Sequence, residues 1–321
     1  MVKMKKSRII GKHKGQIKGP MLVCIGGLHG NEKAGLRAIS LLSKMLEVEP
    51  ITNPGFVFKG FFLGIKGNML AMRKNRRYME KDLNRMWTLD NIEKARTSPN
   101  EQLSNEMLEM KEILETIEYH YHRYQPEKLV VLDLHTTTAR GGIFSIVSEE
   151  PESLKIGVEL HAPVIQGMLN GIKGTTLHYF NSENYFPQTT SVVFESGQHD
   201  EPLSVNRAIA AITNCMRTMG CVTKDDVENR HDSLLIEHST GLPKVADLAY
   251  CHRIKEGDEF EMYPGYHNFQ RVYKGEVLAR DKKGEITCPE DGLILMPLYQ
   301  PQGEDGFFII RELIPFDPDE V

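Results

Sequence analysis

The chain has 321 residues, of which 40% are hydrophobic and 26% are charged, a balance typical of a globular protein that buries a sizeable core. Its 39 lysines and arginines against 44 aspartates and glutamates leave a net charge of −5, which argues against nucleic acid or a membrane surface as a partner. No apolar run is long enough to span a bilayer, no signal-peptide core follows the basic N-terminal segment, and the five cysteines form no CxxC pair. We therefore expect a cytoplasmic protein.

The first predicted strand, an apolar run at residues 21–25, ends in the motif GGLHGNE at residues 26–32. Two glycines after a strand predict a tight turn at the carboxyl edge of a sheet, where open α/β sheets bind their ligands. His29 and Glu32 are three positions apart, so both side chains can face one ion. The motif predicts half of a metal site.

Helices and strands are then predicted to alternate over the first two thirds of the chain. Apolar residues at helical spacing predict a helix over residues 33–45 and a longer one over 99–121. A Phe- and Val-rich run predicts a strand over 55–65, and residues 129–134 are apolar at nearly every position, which is typical of a strand buried on both faces. Another helix is predicted over 204–219. This alternation predicts an α/β fold.

Two more strands end in polar residues, at His135 of the sequence DLH and at Glu195 of the sequence SVVFE. Three such strand ends can converge at one edge of a sheet. Zinc takes imidazole and carboxylate ligands, and a catalytic site uses three of them and keeps one position open for water. His29, Glu32 and His135 form such a set, which leaves Glu195 as a candidate base. Any one of these residues alone is more often an ordinary hydrogen-bonded side chain at a strand end.

After residue 229 the pattern changes, because short strand-length runs separated by Gly, Pro and Asp replace the helical periodicity. The sequence therefore predicts a catalytic α/β domain over residues 1–228 and a β-rich domain over 229–321. We expect the second domain to serve as a scaffold that contributes packing and loops.

Together with residues 68–87, NMLAMRKNRRYMEKDLNRMW, these motifs resemble the succinylglutamate desuccinylase/aspartoacylase family, which belongs to the zinc carboxypeptidase superfamily. HGNE, GNxxA at 67–71, RYxxxDLNR at 77–85, DLH and the strand ending in Glu195 follow in the family's order. The resemblance implies a mixed sheet flanked by helices, with a smaller β-rich C-terminal domain. It also implies one zinc ion per chain and hydrolysis of the amide bond of a small-molecule N-acyl amino acid.

The resemblance further implies roles for individual residues. Glu195 matches the family's general acid/base, and Arg77 matches the arginine that faces the developing oxyanion. Asn84 and Arg85 match residues that hold a substrate carboxylate, a task that suits the two parallel hydrogen bonds of a guanidinium. For Arg77 a solvated basic loop is the alternative, since residues 73–77 contain four basic side chains.

Asp133 precedes His135 by two positions, so both side chains leave the same face of a strand. It could orient the histidine ligand from behind, or it could cap a local turn.

The chain differs from the aspartoacylase pattern in a residue that is expected to contact the substrate. Aspartoacylases carry a further arginine about ten residues before the catalytic glutamate, near Tyr185 here, and this chain has no arginine between Arg140 and Glu195. This difference argues against N-acetylaspartate and leaves the acyl group and the amine open. Tyr185, Tyr299 and His178 could supply polar contacts, although packing or surface roles suit each of them better.

Two other interpretations stay open: a zinc carboxypeptidase that acts on peptides, and a non-catalytic zinc-binding relative. The RYxxxDLNR motif and the appended β-rich region argue against the first. The four residues His29, Glu32, His135 and Glu195, all present and in order, argue against the second. The sequence leaves the oligomeric state open, and a homo-oligomer is compatible with it.

Overall fold

A computed structural model describes residues 7–224, 226 and 230–314. Its helices are α1 (Ala34–Thr52), α2 (Met69–Lys74), α3 (Leu89–Thr97), α4 (Asn105–Tyr124), α5 (Pro151–Glu159), α6 (Met168–Gly171), α7 (Thr176–Tyr179), α8 (Leu203–Thr218) and α9 (Arg230–Ser239). Its strands are β1 (Ile9–Lys14), β2 (Ile17–Gly26), β3 (Lys59–Lys66), β4 (Leu129–Thr137), β5 (Phe144–Val147), β6 (Val164–Gln166), β7 (Thr189–Gln198), β8 (Val245–Arg253), β9 (Glu261–Met262), β10 (Gln270–Val272), β11 (Val277–Asp281), β12 (Gly284–Thr287), β13 (Gly292–Leu295) and β14 (Asp305–Ile314). In these parts of the chain no helix combines the length and the apolar character needed to cross a bilayer.

Eleven of the described strands form one mixed sheet in the order β1-β3-β2-β4-β7-β5-β6-β8-β14-β13-β10. Strands β3, β2, β4 and β7 run parallel to one another, whereas β1 is antiparallel to β3 and β5 is antiparallel to β7. This confirms the predicted α/β fold with a mixed sheet between helices. The four parallel strands form the part of the sheet on which the candidate site is built.

The central strands are buried on both faces, as the apolar run at 129–134 predicts. Successive side chains of a strand point to opposite faces, so Leu22 and Val130 pack in the layer of α1 and α8. Val23 and Val131 pack in the opposite layer, with Met110 of α4. Full burial of one such side chain stabilises a fold by about 1.5 to 3 kcal/mol.

The helices follow the predicted stripes but differ at their ends. Helix α4 begins at Asn105 rather than at residue 99, because the Ser104 side chain caps it by accepting a hydrogen bond from the backbone of Met107. Helix α1 continues to Thr52, well past the predicted end at residue 45. The apolar periodicity becomes weak after Leu46, and Pro50, which usually marks a helix end, lies inside the last turns.

The C-terminal third is rich in strands, as predicted. Strands β8, β14, β13 and β10 extend the large sheet, and β9, β11 and β12 form a separate three-stranded sheet. The predicted boundary between residues 228 and 229 lies outside the described residues, and so do residues 1–6 of the basic N-terminal segment. The division into domains 1–228 and 229–321 stays a prediction.

Candidate metal centre and active site

Three neighbouring parallel strands, β2, β4 and β7, end at the same edge of the sheet, which confirms the predicted convergence. In the register of β4 and β7, His135 lies beside Glu195. In the register of β2 and β4, Gly26 lies beside Leu134, so the GGLHGNE turn leaves the sheet next to His135. The topology thus brings His29, Glu32, His135 and Glu195 to one place.

The turn after β2 depends on two of its glycines. Gly27 has a φ of +72°, a left-handed conformation that side chains disfavour. A Cβ atom on Gly30 would lie 2.3 Å from backbone atoms of Ala71 and Met72, so only glycine allows the turn to pack against α2. The backbone nitrogen of Gly30 also donates to the carbonyl oxygen of Arg77 at 3.0 Å. These contacts fix the loop on which His29 and Glu32 lie.

His29, Glu32 and His135 each offer one ligand atom, and the three atoms lie within 4.8 Å of one another. Nδ1 of His29 lies 2.8 Å from Oε1 of Glu32, and Nδ1 of His135 lies 3.1 Å from Oε2. The three side chains are only 3 to 5% exposed. The backbone nitrogen of Thr136 donates to Oε2 of Glu32 at 2.9 Å and fixes the carboxylate between the two rings.

The second nitrogen of each imidazole lies beside another carboxylate. Nε2 of His29 is 3.0 Å from Oδ1 of Asp82, and Nε2 of His135 is 3.0 Å from Oδ2 of Asp133. The second contact has an ion-pair distance but not the alignment of a hydrogen bond. Asp133 also accepts a hydrogen bond from the Thr176 hydroxyl at 2.8 Å. Carboxylates in this position orient metal-bound histidines, and this arrangement favours the orienting role for Asp133 over a turn cap.

The electrostatics of the cluster favour a bound cation. Burial lowers the pKa of His135, but the carboxylates of Asp133 and Glu32 outweigh burial and raise this pKa well above its usual value. Burial raises the pKa of Glu32, but His29 and His135 outweigh burial and hold it well below its usual value. Two imidazoles and one carboxylate, buried and backed by two further carboxylates, form a donor set that fits zinc.

Glu195 lies beside these three residues and is buried, with 7% exposure. Its Oε2 atom is enclosed and has no hydrogen-bond partner among the residues that the structure describes. Burial raises the pKa of Glu195 to about 8, although positive charge at His135 opposes the shift. A carboxyl group with a pKa near neutrality and a free oxygen can accept and return a proton.

Arg77 differs from the other basic residues of its loop. Arg73, Lys74 and Arg76 are exposed, whereas the side chain of Arg77 is 14% exposed. Its Nε and Nη2 atoms donate to Oδ2 of Asp82 at 3.1 and 2.9 Å. Its Nη1 atom lies 3.7 Å from Oε1 of the buried Glu32. The guanidinium therefore faces the group of His29, Glu32 and His135, and the alternative of a solvated basic loop does not fit this residue.

Asn84 and Arg85 line the same cleft and already have protein partners. Oδ1 of Asn84 accepts a hydrogen bond from the backbone of Thr176 at 3.1 Å. Nη2 of Arg85 donates to Oδ2 of Asp305 at 2.5 Å, and Arg253 pairs with the other oxygen of Asp305. The carboxylate that Arg85 contacts in the structure is thus an internal one, and contact with a substrate carboxylate stays a prediction.

Glu106, which sequence analysis does not single out, supports the site from α4. Its side chain is completely buried and accepts hydrogen bonds from Asn68 Nδ2 at 3.1 Å and from the backbone nitrogen of Met79 at 2.7 Å. Its second oxygen accepts from the backbone of Glu80 and Lys81. These bonds hold the segment that carries Arg77 and Asp82. In the sequence Glu106 looks like an ordinary acidic residue in the first turn of a helix.

The three additional polar candidates lie away from the cleft wall. Tyr185 packs against neighbouring aromatic rings, His178 caps α7, and the Tyr299 hydroxyl donates to backbone carbonyl oxygens. His199, which sequence analysis does not single out, does line the cleft, and its Nδ1 atom lies 2.7 Å from the Thr136 hydroxyl. It follows Glu195 by four positions, but no spacing rule connects it to the other motifs.

Comparison with known proteins identifies a matching family model and a curated relative. The sequence model of the succinylglutamate desuccinylase/aspartoacylase catalytic domain matches residues 18–217. A probable aspartoacylase from Nostoc sp. is 33% identical over 133 residues, which are 41% of this chain and 40% of that protein. The match therefore spans less than half the length of that curated relative.

Solved structures share the fold at low sequence identity. A succinylglutamate desuccinylase/aspartoacylase from Rhodobacter sphaeroides superposes with a TM-score of 0.63 at 15% identity, covering 92% of this chain and 86% of that one. The product-bound ectoine utilization protein EutE (DoeB) from Ruegeria pomeroyi has a TM-score of 0.62 at 16% identity, covering 94% and 87%. At these identities the likeness concerns the fold alone.

Proposed function

Because this chain belongs to the succinylglutamate desuccinylase/aspartoacylase family, we propose that it is a zinc-dependent hydrolase that cleaves the amide bond of an N-acyl amino acid. One observation carries the proposal: Glu195, with a free buried oxygen, lies beside the buried group of His29, Glu32 and His135. An amide is a poor electrophile and water a poor nucleophile, so the reaction needs both a Lewis acid and a group that moves protons.

In this proposal His29, Glu32 and His135 hold one zinc ion per chain. Zinc supplies two effects when bound at such a site, since it lowers the pKa of water and polarises a carbonyl group. Asp82 and Asp133 would keep Nε2 of each histidine oriented, which leaves Nδ1 of both rings beside Glu32. The burial of all five side chains excludes bulk water from this part of the cleft.

Glu195 is the proposed general acid/base. It takes a proton from the attacking water and returns it to the amide nitrogen as the C–N bond breaks. Its pKa, raised to about 8 by burial, lies near the pH at which proton transfer in both directions is efficient.

Arg77 is proposed to stabilise the oxyanion that develops on the carbonyl oxygen. Its Nε and Nη2 atoms are held by Asp82, and Nη1 lies 3.7 Å from Oε1 of Glu32, on the side of the proposed metal site. A fixed donor at such a position is worth roughly 10² to 10³ in kcat.

Asn84 and Arg85 are proposed to hold a carboxylate of the substrate, since both line the cleft beside the metal ligands. The Arg85 guanidinium has five N–H donors, of which two donate to Asp305 and to the backbone of Asn84, and its buried Nε atom has no hydrogen-bond partner within the described parts of the chain, so donors remain for this contact.

A release assay tests the proposal. The zinc-loaded protein is incubated with a panel of N-acetyl and N-succinyl amino acids, and the free amino acid is quantified by chromatography. A peptide mixture in a parallel reaction tests the carboxypeptidase alternative through release of C-terminal residues. Hydrolysis of an N-acyl amino acid supports the proposal. C-terminal release alone supports the carboxypeptidase, and no hydrolysis of either substrate by zinc-loaded protein supports a non-catalytic relative.

A further inference from the structure

We propose that the amino acid released by this enzyme has an apolar side chain and a single carboxylate, as in N-acyl leucine, methionine or phenylalanine. This inference rests on the proposed function and concerns the part of the cleft next to Arg85. Three features of that part carry it: its apolar wall, the pairing of its arginines with internal carboxylates, and the two carboxyl groups at its far end.

Nine apolar side chains line the cleft beyond the metal ligands. They come from both halves of the chain and include Ile146, Met168, Leu169, Ile172, Met296 and Phe308. Leu169, Met296 and Leu298 are only partly buried, and the other six belong to a single hydrophobic cluster. A wall of this kind binds an apolar group favourably and offers no hydrogen-bond donor to a charged one.

Arg77 and Arg85 are the only arginine or lysine side chains that line this cleft within the described residues. Asp82 engages Arg77, and Asp305 engages Arg85 at 2.5 Å. Arg85 Nη1 donates to the backbone carbonyl of Asn84 at 2.7 Å. The N–H groups that remain on Arg85 can contact one substrate carboxylate, and within the described residues the other nearby arginines are already paired, Arg77 with Asp82 and Arg253 with Asp305.

The other end of the wall carries two carboxyl groups and, among the described residues, no unpaired arginine or lysine. Glu304 and Asp305 both line the cleft. Glu304 is exposed at the rim; partial desolvation and the charge of Asp82 raise its pKa, and Arg85 opposes this shift. An acidic side chain placed against the apolar wall would be desolvated, and the two arginines beside Asp305 are already paired with it.

The first test compares kcat/KM for N-acetyl-leucine, N-acetyl-methionine and N-acetyl-phenylalanine with that for N-acetyl-aspartate and N-acetyl-glutamate. We expect the best apolar substrate to exceed the acidic ones by at least about tenfold, the usual discrimination from one group in an apolar pocket. Preference for an acidic amino acid would overturn the inference and leave the proposed hydrolysis intact. Absence of hydrolysis for every N-acyl amino acid would overturn the proposed function together with the inference.

A second test uses binding instead of turnover. In the Glu195→Gln variant, which should hold its substrate unreacted, calorimetry should give a lower Kd for N-acetyl-leucine than for N-acetyl-aspartate. The near-isosteric Met296→Gln change in that background should reduce this ratio several-fold. Leu248→Gln is the matched control, because Leu248 packs against the same cluster but does not line the cleft. An unchanged ratio in Met296→Gln, with an unchanged melting temperature, would contradict an apolar wall that selects the substrate.

Discussion

The side-chain carboxylate of Glu106 accepts a hydrogen bond from the backbone nitrogen of Met79 at 2.7 Å, and this contact ties α4 to the loop that carries Arg77 and Asp82. Four donors converge on this one buried carboxylate. Since Asp82 lies against Nε2 of His29, the position of this histidine depends on Glu106, which does not contact it.

Glu106→Gln should therefore weaken both the fold and the metal site. The amide of glutamine would direct its NH₂ group at donors that need an acceptor, and a buried donor left unpaired costs about 1 to 3 kcal/mol. We expect a lower melting temperature and weaker zinc binding, measured by thermal unfolding and by competition with a chelator. Glu115→Gln, at an exposed position on the same helix, is the control and should change neither property. Normal zinc affinity in Glu106→Gln would show that the loop is held by other contacts.

Asp82→Asn and Asp133→Asn test whether the carboxylates behind the histidines tune the metal site. Each change keeps the shape of the side chain and removes its charge, so zinc affinity should fall by about 10- to 100-fold. Competition with a chromogenic chelator measures the change. Asp305→Asn is the matched control, since Asp305 lines the cleft but lies beside Arg85 rather than beside a histidine. Equal zinc affinity in all three variants would contradict the orienting role.

Much of this site follows from local sequence patterns. Two local patterns predict where polar side chains leave the sheet. One is a glycine turn after an apolar run, and the other is an apolar run that ends in histidine or glutamate. Parallel strands bring such ends together, so the grouping of His29, Glu32, His135 and Glu195 could be predicted. The buried face of α4 could be predicted as well, because apolar residues at helical spacing mark the face of a helix that packs in the core.

The contacts between distant segments could not be predicted in the same way. Asp305 follows Arg85 by 220 positions, and no local pattern marks them as partners. Glu106 has the sequence signature of an acidic helix start, and only the fold shows that it is buried and surrounded by donors. The apolar cleft wall combines side chains from α6, β5 and β14, each of which looks like ordinary core in the sequence.

Glu195→Gln should retain zinc and fold but lower kcat by about 10²- to 10⁴-fold, because the amide cannot accept a proton. Burial raises the pKa of Glu195 to about 8, so for the wild type kcat/KM should rise with pH as this carboxyl ionises and level off above its pKa. A bound cation would move this rise in kcat/KM to lower pH. The Glu195→Gln variant should not show the rise. Steady-state kinetics across pH, with metal content as the control, measure both effects, and a variant with full turnover would assign the proton transfer to another group.

Replacement of Arg77 by alanine and replacement of Arg85 by alanine should change different kinetic constants. Arg77→Ala should lower kcat by roughly 10²- to 10³-fold, because a donor to the developing oxyanion is lost. Arg85→Ala should raise KM for an N-acyl amino acid and leave the already poor decarboxylated analogue unchanged, since only the first substrate has the carboxylate. Steady-state kinetics on both substrates separate the two outcomes. If Arg85→Ala weakens both substrates equally, the role of Arg85 is structural, through Asp305.

The central claim is that one zinc ion, held by His29, Glu32 and His135, is needed for hydrolysis of an N-acyl amino acid. The most direct measurement follows the zinc content and the release of free amino acid in parallel, for wild type, His29→Ala, His135→Ala and His199→Ala, after chelation and after zinc is restored. We predict that the wild type and His199→Ala recover about one zinc per chain and that zinc restores wild-type activity, whereas both ligand variants recover neither. Equal zinc content in all four proteins, or wild-type hydrolysis that survives complete removal of metal, would contradict the account.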